Sequence, residues 1–436
     1  MKYKFLNQQN KYIKNVLILL SGSSISQLIL LIASPILTRQ YSPQDFGAFA
    51  GYTSILSIIL VVSSLCFEKA IPLEKDEKKT AYLVVLSLML VFLFSLGIII
   101  LHFLFHFNIF SLVDIESKSY YYIFLSLSLL GAGIFQVLNY WGIREDQYKK
   151  ISSAKLTQSG VNVLGQIGTP LVMKGSFGLF IGDVMGRLIG SSRLITQFLK
   201  RNRFLFKNFR KKELFEVIRE YYRFPVFATF STLFNSAALQ LPTLLLLNLY
   251  GTETAGWYSL SQRVVAVPIS LIAVSLGQVY YGEAAKLIKS NPIKLIELYN
   301  NTIKKLVLIF ALPLLLFALI APKFFSVFFG GEWLNSGYYT QLLTIMFISQ
   351  IVVLPLSQTL YILNKQFLQL LWDISRFMII LVGFYVIKRL GYGASVSIMF
   401  LSIAMTLSYF VLLILGKKAI NNVSQRNYKE EKSVAK

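Results

Sequence analysis

Cysteine and histidine are almost missing from this chain. Its single cysteine, Cys66, excludes an internal disulfide and any zinc site built on thiolates, and its two histidines, His102 and His106, leave little metal-ligand or general-base chemistry. Charged side chains are scarce as well, at 14% of residues, where soluble proteins carry about 25%. That excludes an ordinary cytosolic enzyme. The chain contains no GxxxxGKS/T phosphate loop, HExxH zinc helix or GxSxG nucleophile turn, so the motifs of ATPases, metalloproteases and serine hydrolases are missing. No metal and no cofactor are expected. Acidic residues number 20 against 43 Lys and Arg, a net charge of +23, and its meaning depends on where the cations fall.

What the chain does have is apolar length: 55% hydrophobic residues and a mean hydropathy of +0.61 over 436 residues. A helix crosses a bilayer with about 20 apolar residues. Twelve such runs lie at 16–38, 46–66, 81–103, 120–142, 156–173, 176–198, 226–249, 257–280, 306–322, 338–362, 367–387 and 393–415. The first follows Lys2, Lys4, Lys11 and Lys14 as a secretory leader would, but its 23 residues exceed a leader core and more spans follow. It is expected to stay uncleaved.

With the N-terminus placed in the cytoplasm, the segments 1–15, 67–80, 143–155, 199–225, 281–305, 363–366 and 416–436 hold 33 Lys and Arg. The opposite side holds 6: Arg39, Lys118, Lys174, Lys323, Lys388 and Arg389. Cationic loops resist translocation, so this asymmetry predicts a multi-pass membrane protein with both termini in the cytoplasm. The charge is thus accounted for by topology and contact with anionic lipid, and no nucleic-acid partner is expected. The other four cations, Arg187, Arg193, Arg263 and Arg376, fall within spans.

The longest basic interval, 199–225, divides the spans six and six. It has two readings: a helix whose Phe204, Phe206, Phe209, Leu214 and Ile218 dip into the interface, or a solvated connector. Residues 41–50, YSPQDFGAFA, align without gaps on 250–259, YGTETAGWYS, at a constant offset of 209, with Tyr41 on Tyr250 and Gly47 on Gly256. Six crossings return the chain to its starting side, so the repeat is parallel. The expected fold is an all-α integral membrane protein of twelve transmembrane helices in two six-helix bundles, 1–210 and 211–436, related by a pseudo-two-fold axis along the membrane normal.

A charge placed in hydrocarbon costs at least about 2.5–3.5 kcal/mol, so each embedded charge needs a partner or a wet cavity. Asp183 and Arg187, four apart on span 6, and Asp373 and Arg376, three apart on span 11, have the spacing of self-neutralising pairs. They read equally as ion-coupling acids, Asp183 and Asp373, beside cargo-binding cations. Arg193 is near enough to the inner end to snorkel. Arg263 lies about seven residues, or roughly 10 Å, below the outer end of span 8 with no acid within a helical turn. It calls for an anion, a polar cavity or an acid on another helix. Arg39 stands at the outer mouth of span 1.

Lys155, Gln158, Asn162 and Gln166 are spaced 3, 4 and 4 along span 5 and form one stripe. Amides with one cation suit sugar hydroxyls and water; they suit interhelical hydrogen bonds equally well. Asn235 on span 7 extends the set, with Ser231 on the same stripe and Gln240 and Asn248 further along. Gly178, Gly182, Gly186 and Gly190 recur every four residues on span 6 and read as a close-packing face. Pro35, Pro242, Pro268, Pro313 and Pro355 interrupt spans and are expected to bend them. The embedded charge sums to +2, or +3 with Lys155, which favours an anionic cargo over a cationic drug.

The blocks PILTRQYSPQDFGAFA (35–50), FEKAIPLEKDEKKTAYLVVLSL (67–88), WGIREDQYKKISSAKLTQS (141–159) and FPVFATFSTLFNSAALQLPTLLLLNLYGTETAGWYSLSQRVVAVPIS (224–270) resemble the bacterial polysaccharide flippases of the O-antigen and capsule type. These belong to the superfamily that includes multidrug and toxin extruders and lipid II flippases. The resemblance implies two bundles in a V, a place in the bacterial cytoplasmic (inner) membrane, and a polyprenyl-diphosphate-linked oligosaccharide moved from the cytoplasmic to the periplasmic leaflet, with a polysaccharide polymerase and a chain-length regulator as partners. It places cargo contact on Arg263, within YSLSQRVVAVP, and on Arg39, within PILTRQYSP. A multidrug/cation antiporter of the same fold and a membrane glycan polymerase are the alternatives.

Overall fold

The structure, a computed structural model, describes residues 2–106, 108–110, 119–171, 175–202, 210–290, 292–363 and 365–434. Phe204, Phe206, Phe209, Lys118 and Lys174, named above, lie outside the described residues, as do the side chains of Lys2, Lys4, Lys11 and Lys14. Among the described residues every element is helical, and each of the twelve predicted runs falls on helix. Among the described residues, ten helices are long and apolar enough to cross a membrane.

Helices α1 (Lys2–Gln40) and α2 (Pro43–Ser63) meet at a turn whose chemistry is local. Asp45 N–H donates to Ser42 Oγ at 3.2 Å, and Ser42 N–H donates to Asp45 Oδ2 at 3.0 Å, with Pro43 opening the helix. A short 3₁₀ turn, Phe67–Leu73, separates α2 from α3 (Glu77–Phe105), which is capped by Asp76 accepting from the backbone N–H of Lys78 and Lys79. Next come α4 (Tyr120–Arg144), α5 (Tyr148–Gly168), α6 (Phe177–Arg201) and the ten-residue α7 (Lys211–Glu220). A π-helical turn, Phe224–Ala228, leads into α8 (Thr229–Tyr250), followed by α9 (Thr252–Ser261). A second π turn, Gln262–Ala266, joins α9 to α10 (Val267–Ser290), and α11 (Pro292–Phe329), α12 (Leu334–Leu356), α13 (Gln358–Ile362), α14 (Gln366–Arg389) and α15 (Ala394–Val434) complete the chain.

Pro35, Pro242, Pro313 and Pro355 lie inside helices as expected. Pro268 also lies within a continuous helical run, Thr252–Ile288, directly after the π turn, which closes with Val267 N–H donating to Gln262 O. The wider turn absorbs the hydrogen bond that proline cannot make.

Packing groups the chain into two units, Met1–Gly256 and Trp257–Lys436. In the first, α5 lies against the glycine face of α6. Side chains at Gly182, Gly186 or Gly190 would collide with Gln166, Asn162 or Gln158, and Gly165 faces the Gly182 backbone. α6 also meets α4, where Ser191 Oγ donates to Gly131 O at 3.0 Å. Helix α8 packs on α2: Ser54 Oγ donates to Gln240 Oε1 and Ser236 Oγ to Ser57 O, both at 3.0 Å. At the start of α2 and α9 the repeat closes on itself, because Gly47 abuts the Thr252 carbonyl and Gly256 abuts the Pro43 carbonyl. In the second unit α12 is the hub. Ser261 and Thr340 hydroxyls pair at 2.8 Å and Gly337 presses on Pro322 of α11, while α13 is tied to α10 by the hydroxyls of Thr359 and Tyr280 at 2.8 Å.

The linker helix α7 docks on the end of the spans that carries the Lys/Arg excess. Val217 is 1% exposed, and Leu214 and Ile218 pack into the cluster of Phe67, Ile71, Tyr82, Trp141 and Phe198. The interfacial reading of Leu214 and Ile218 is therefore corrected: they face protein, because the buried apolar cluster of α3, α4 and α6 removes them from water. Lys78 Nζ donates to Glu213 at 2.6 Å, Lys79 Nζ to Glu220 at 2.7 Å and Tyr221 OH to Glu74 at 2.7 Å. Burial pushes the Glu74 carboxyl up, but hydrogen bonds from Asp76 N–H and Tyr221 OH, with Lys79 nearby, outweigh it and hold the group below its ordinary value. The bond from Lys78 likewise lowers Glu213, and the bond to Glu220 raises Lys79.

Candidate functional site

The two acid–base pairs close on themselves. On α6, Arg187 Nε donates to Asp183 Oδ2 at 2.7 Å, and Ser128 Oγ of α4 donates to the same oxygen at 2.8 Å, with Tyr52 of α2 beside them. The side chains are 21% and 5% exposed. On α14, Arg376 Nη2 donates to Asp373 Oδ1 at 3.0 Å, and its guanidinium lies 4.5 Å from the centre of the Trp372 ring. Trp372 is fixed by its Nε1–H donating to Ser408 O at 2.7 Å. Arg376 Nε is buried without an acceptor among the described residues. Each pair is a neutral unit at i,i+4 or i,i+3, the spacing at which helical neighbours touch.

The amide stripe of α5 sits in a helix seam. Gln158, Asn162 and Gln166 all face the glycines of α6. Gln166 is buried, donates through Nε2 to Leu179 O at 3.2 Å, and its backbone carbonyl accepts from Tyr41 OH at 2.6 Å. Asn162 Oδ1 and Gln166 Oε1 have no donor among the described residues. Lys155 leaves the seam and donates to Ser23 Oγ of α1 at 2.8 Å. Asn235 is exposed on α8, whereas its neighbours Ser236 and Gln240 are the residues engaged with α2.

Arg263 is half-buried on the second π turn, in a locally widened helix. Beside it, Gln262 Nε2 is buried with no acceptor among the described residues. Irregular turns of this kind free backbone and side-chain groups for a ligand. Arg39 is exposed on the last turn of α1.

One buried carboxylate escapes the sequence reading. Glu68, placed above in a charged loop, is 0% exposed on the 3₁₀ turn after α2. Its Oε2 accepts from Ser64 Oγ at 2.6 Å and its Oε1 from Gln136 Nε2 of α4 at 2.9 Å. The adjacent Lys69 Nζ donates to Thr232 Oγ1 of α8 at 2.6 Å. The available signal was the apolar run Phe67, Ala70, Ile71 and Pro72 around it, unusual for a solvated loop.

A cavity of about 490 Å³ opens among α2, α3 and α4, lined by apolar residues such as Ile59, Leu93, Phe94, Ile98 and Leu125, and holds none of these candidates. Among the described residues no three His, Cys, Asp or Glu side chains are placed to hold a metal ion.

No curated protein sequence matches the chain. Its fold is that of solved transporters. It superposes on an inward-facing multidrug resistance MATE family transporter of the MOP superfamily with a TM-score of 0.71 at 17% identity, covering 92% of this chain and 96% of that one. On the lipid II flippase MurJ in an inward closed conformation the TM-score is 0.69 at 16% identity, covering 94% and 90%. A MOP superfamily transporter from Pyrococcus furiosus, described for a binding pocket of reversed polarity, aligns at 0.56 and 18% identity over 95% and 96%. The profile of polysaccharide biosynthesis proteins matches residues 36–337, more than half of the sequence, and the chain belongs to that family.

Proposed function

We propose that the protein is a flippase that carries polyprenyl-diphosphate-linked oligosaccharide repeat units from the cytoplasmic to the periplasmic leaflet by alternating access, for O-antigen or capsule synthesis. The observation that carries this reading is a polysaccharide biosynthesis signature lying on a chain of membrane-length helices. A sugar head group needs a polar route through hydrocarbon, which membrane-length helices carrying embedded arginines and amides would provide. The likeness in fold to a lipid II flippase supports a lipid-linked cargo.

In this reading Arg263 and Arg39 meet the diphosphate, for which the guanidinium fork is suited and stays ionised. Lys155 and Asn235 meet the sugars. Arg187 and Arg376 hold the acids Asp183 and Asp373, where an ion gradient would act on the cycle. The protein works in the inner membrane with both termini cytoplasmic, as the distribution of 33 against 6 cations supports, and hands its cargo to a polymerase and chain-length regulator. The test is translocation of a lipid-linked oligosaccharide in proteoliposomes, with Arg263→Ala expected to impair it.

A multidrug/cation antiporter is the second reading, favoured by the fold shared with a multidrug transporter. Drug efflux in a sensitised strain without oligosaccharide translocation would select it. Chain extension of lipid-linked units by the purified protein would instead select a polymerase.

A further inference from the structure

Helix α7 divides its charge into separate faces. At 100° per residue, Leu214, Val217 and Ile218 share the face that docks on protein. Glu213, Glu216 and Glu220 fall together on a second face, two of them taken by Lys78 and Lys79. The third contains Lys211, Lys212, Phe215 and Arg219, all exposed, with Phe215 at 69%. None of these three cations lies within ion-pair distance of a carboxylate among the described residues.

The position of α7 gives this third face its meaning. The helix is pinned to the start of α3 through Lys78, Lys79 and Tyr82, whose OH accepts from Arg210 N–H at 2.9 Å. It follows α6 and precedes α8 in the chain, so it is held at the level where spanning helices end. A phenylalanine flanked by cations at that level matches an interface, with the ring among acyl carbons and the cations at phosphate depth.

We propose that the Lys211, Lys212, Phe215 and Arg219 edge of α7 is a docking surface for anionic phospholipid head groups of the adjoining leaflet. The acidic face would repel such a surface, and the clamp to α3 neutralises two of its three carboxylates, Glu213 and Glu220, with Lys78 and Lys79. The proposal rests on the spans and not on the cargo, so it stands or falls separately from the flippase reading.

The experiment places an environment-sensitive fluorophore at Phe215→Cys in a Cys66→Ser background, with the protein in lipid nanodiscs of phosphatidylcholine alone or with one third phosphatidylglycerol. Emission is expected to shift to the blue, and to be quenched by a lipid spin-labelled near the head group, only in the anionic discs. The Lys211→Gln/Lys212→Gln/Arg219→Gln variant, which leaves the clamp intact, should lose both effects, as should salt at about 1 M, where the Debye length is about 3 Å. On the unsubstituted protein, trypsin should cut after Lys211, Lys212 and Arg219 in neutral discs and be blocked in anionic ones. Equal quenching and equal cleavage in the two lipids, or a water-like emission in both, overturns the proposal.

Discussion

Gly47 and Gly256 stand backbone against backbone, each the fifth residue of its helix, and neither has room for a methyl group. Gly47 touches Thr252 and Gly256 touches Pro43, and these partners are themselves matched at the offset of 209, so the contact maps onto itself under the repeat. Gly47→Ala or Gly256→Ala forces the two helix starts apart. The expected loss is about 1–3 kcal/mol, typical of overpacking, read as a lower unfolding midpoint in detergent. Gly97→Ala is the control, because an added methyl there meets nothing within 4 Å. Equal midpoints for all three variants would refute the contact.

Asp183→Asn leaves the half-buried Arg187 without its carboxylate. Removing one member of a buried pair costs about 3–5 kcal/mol, whereas replacing both with groups of similar volume is often neutral. Asp183→Asn should therefore reduce folded yield and thermal stability sharply, and Asp183→Asn/Arg187→Met should recover most of the loss. If the single variant matches the parent, the pair is not what holds α6 against α4.

Arg263→Ala should slow translocation of a lipid-linked oligosaccharide by about tenfold or more, the value of one charge-assisted hydrogen bond of roughly 1.5–3 kcal/mol. Arg263→Lys should recover part of the rate, because an ammonium keeps the charge but not the bidentate fork. An unchanged rate in Arg263→Ala removes the arginine from the cargo path.

The α7 clamp should open with acid. Glu74 and Glu213 are held below their ordinary value in the fold, so their contribution is complete above about pH 4.3 and is lost as pH falls through their lowered folded values. Lys79 is shifted upward, so its contribution is complete below about pH 10.4 and fades only in stronger alkali. A spin-label distance between α3 and α7 should hold constant from about pH 6 to 9 and lengthen near pH 3. A constant distance at pH 3 contradicts the clamp.

The sequence disclosed the helices and the duplicated α2 and α9 starts, because apolar period and a gapless repeat are properties of the chain itself. It also disclosed the spacing of Asp183 with Arg187 and of Asp373 with Arg376, although not that both pairs close. Side chains that answer to another helix were harder to read. Gln158, Asn162 and Gln166 form the same stripe whether they face sugar or glycine, and only the register with Gly182, Gly186 and Gly190 decides. Glu68 was hidden by position, since a carboxylate just past a span reads as solvated until Ser64 and Gln136 are seen enclosing it. Leu214 and Ile218 were apolar on a basic linker, and nothing local distinguishes lipid from the α3 core as the surface they choose.

The seam between α5 and α6 bears on how the protein is made. A segment carrying Lys155, Gln158, Asn162 and Gln166 gains little from lipid when it emerges alone from the ribosome. Its amides find shelter only once the glycine-faced partner has been synthesised behind it. The two consecutive segments are therefore expected to enter the bilayer together, as a hairpin, and a chain truncated before α6 is expected to leave α5 uninserted.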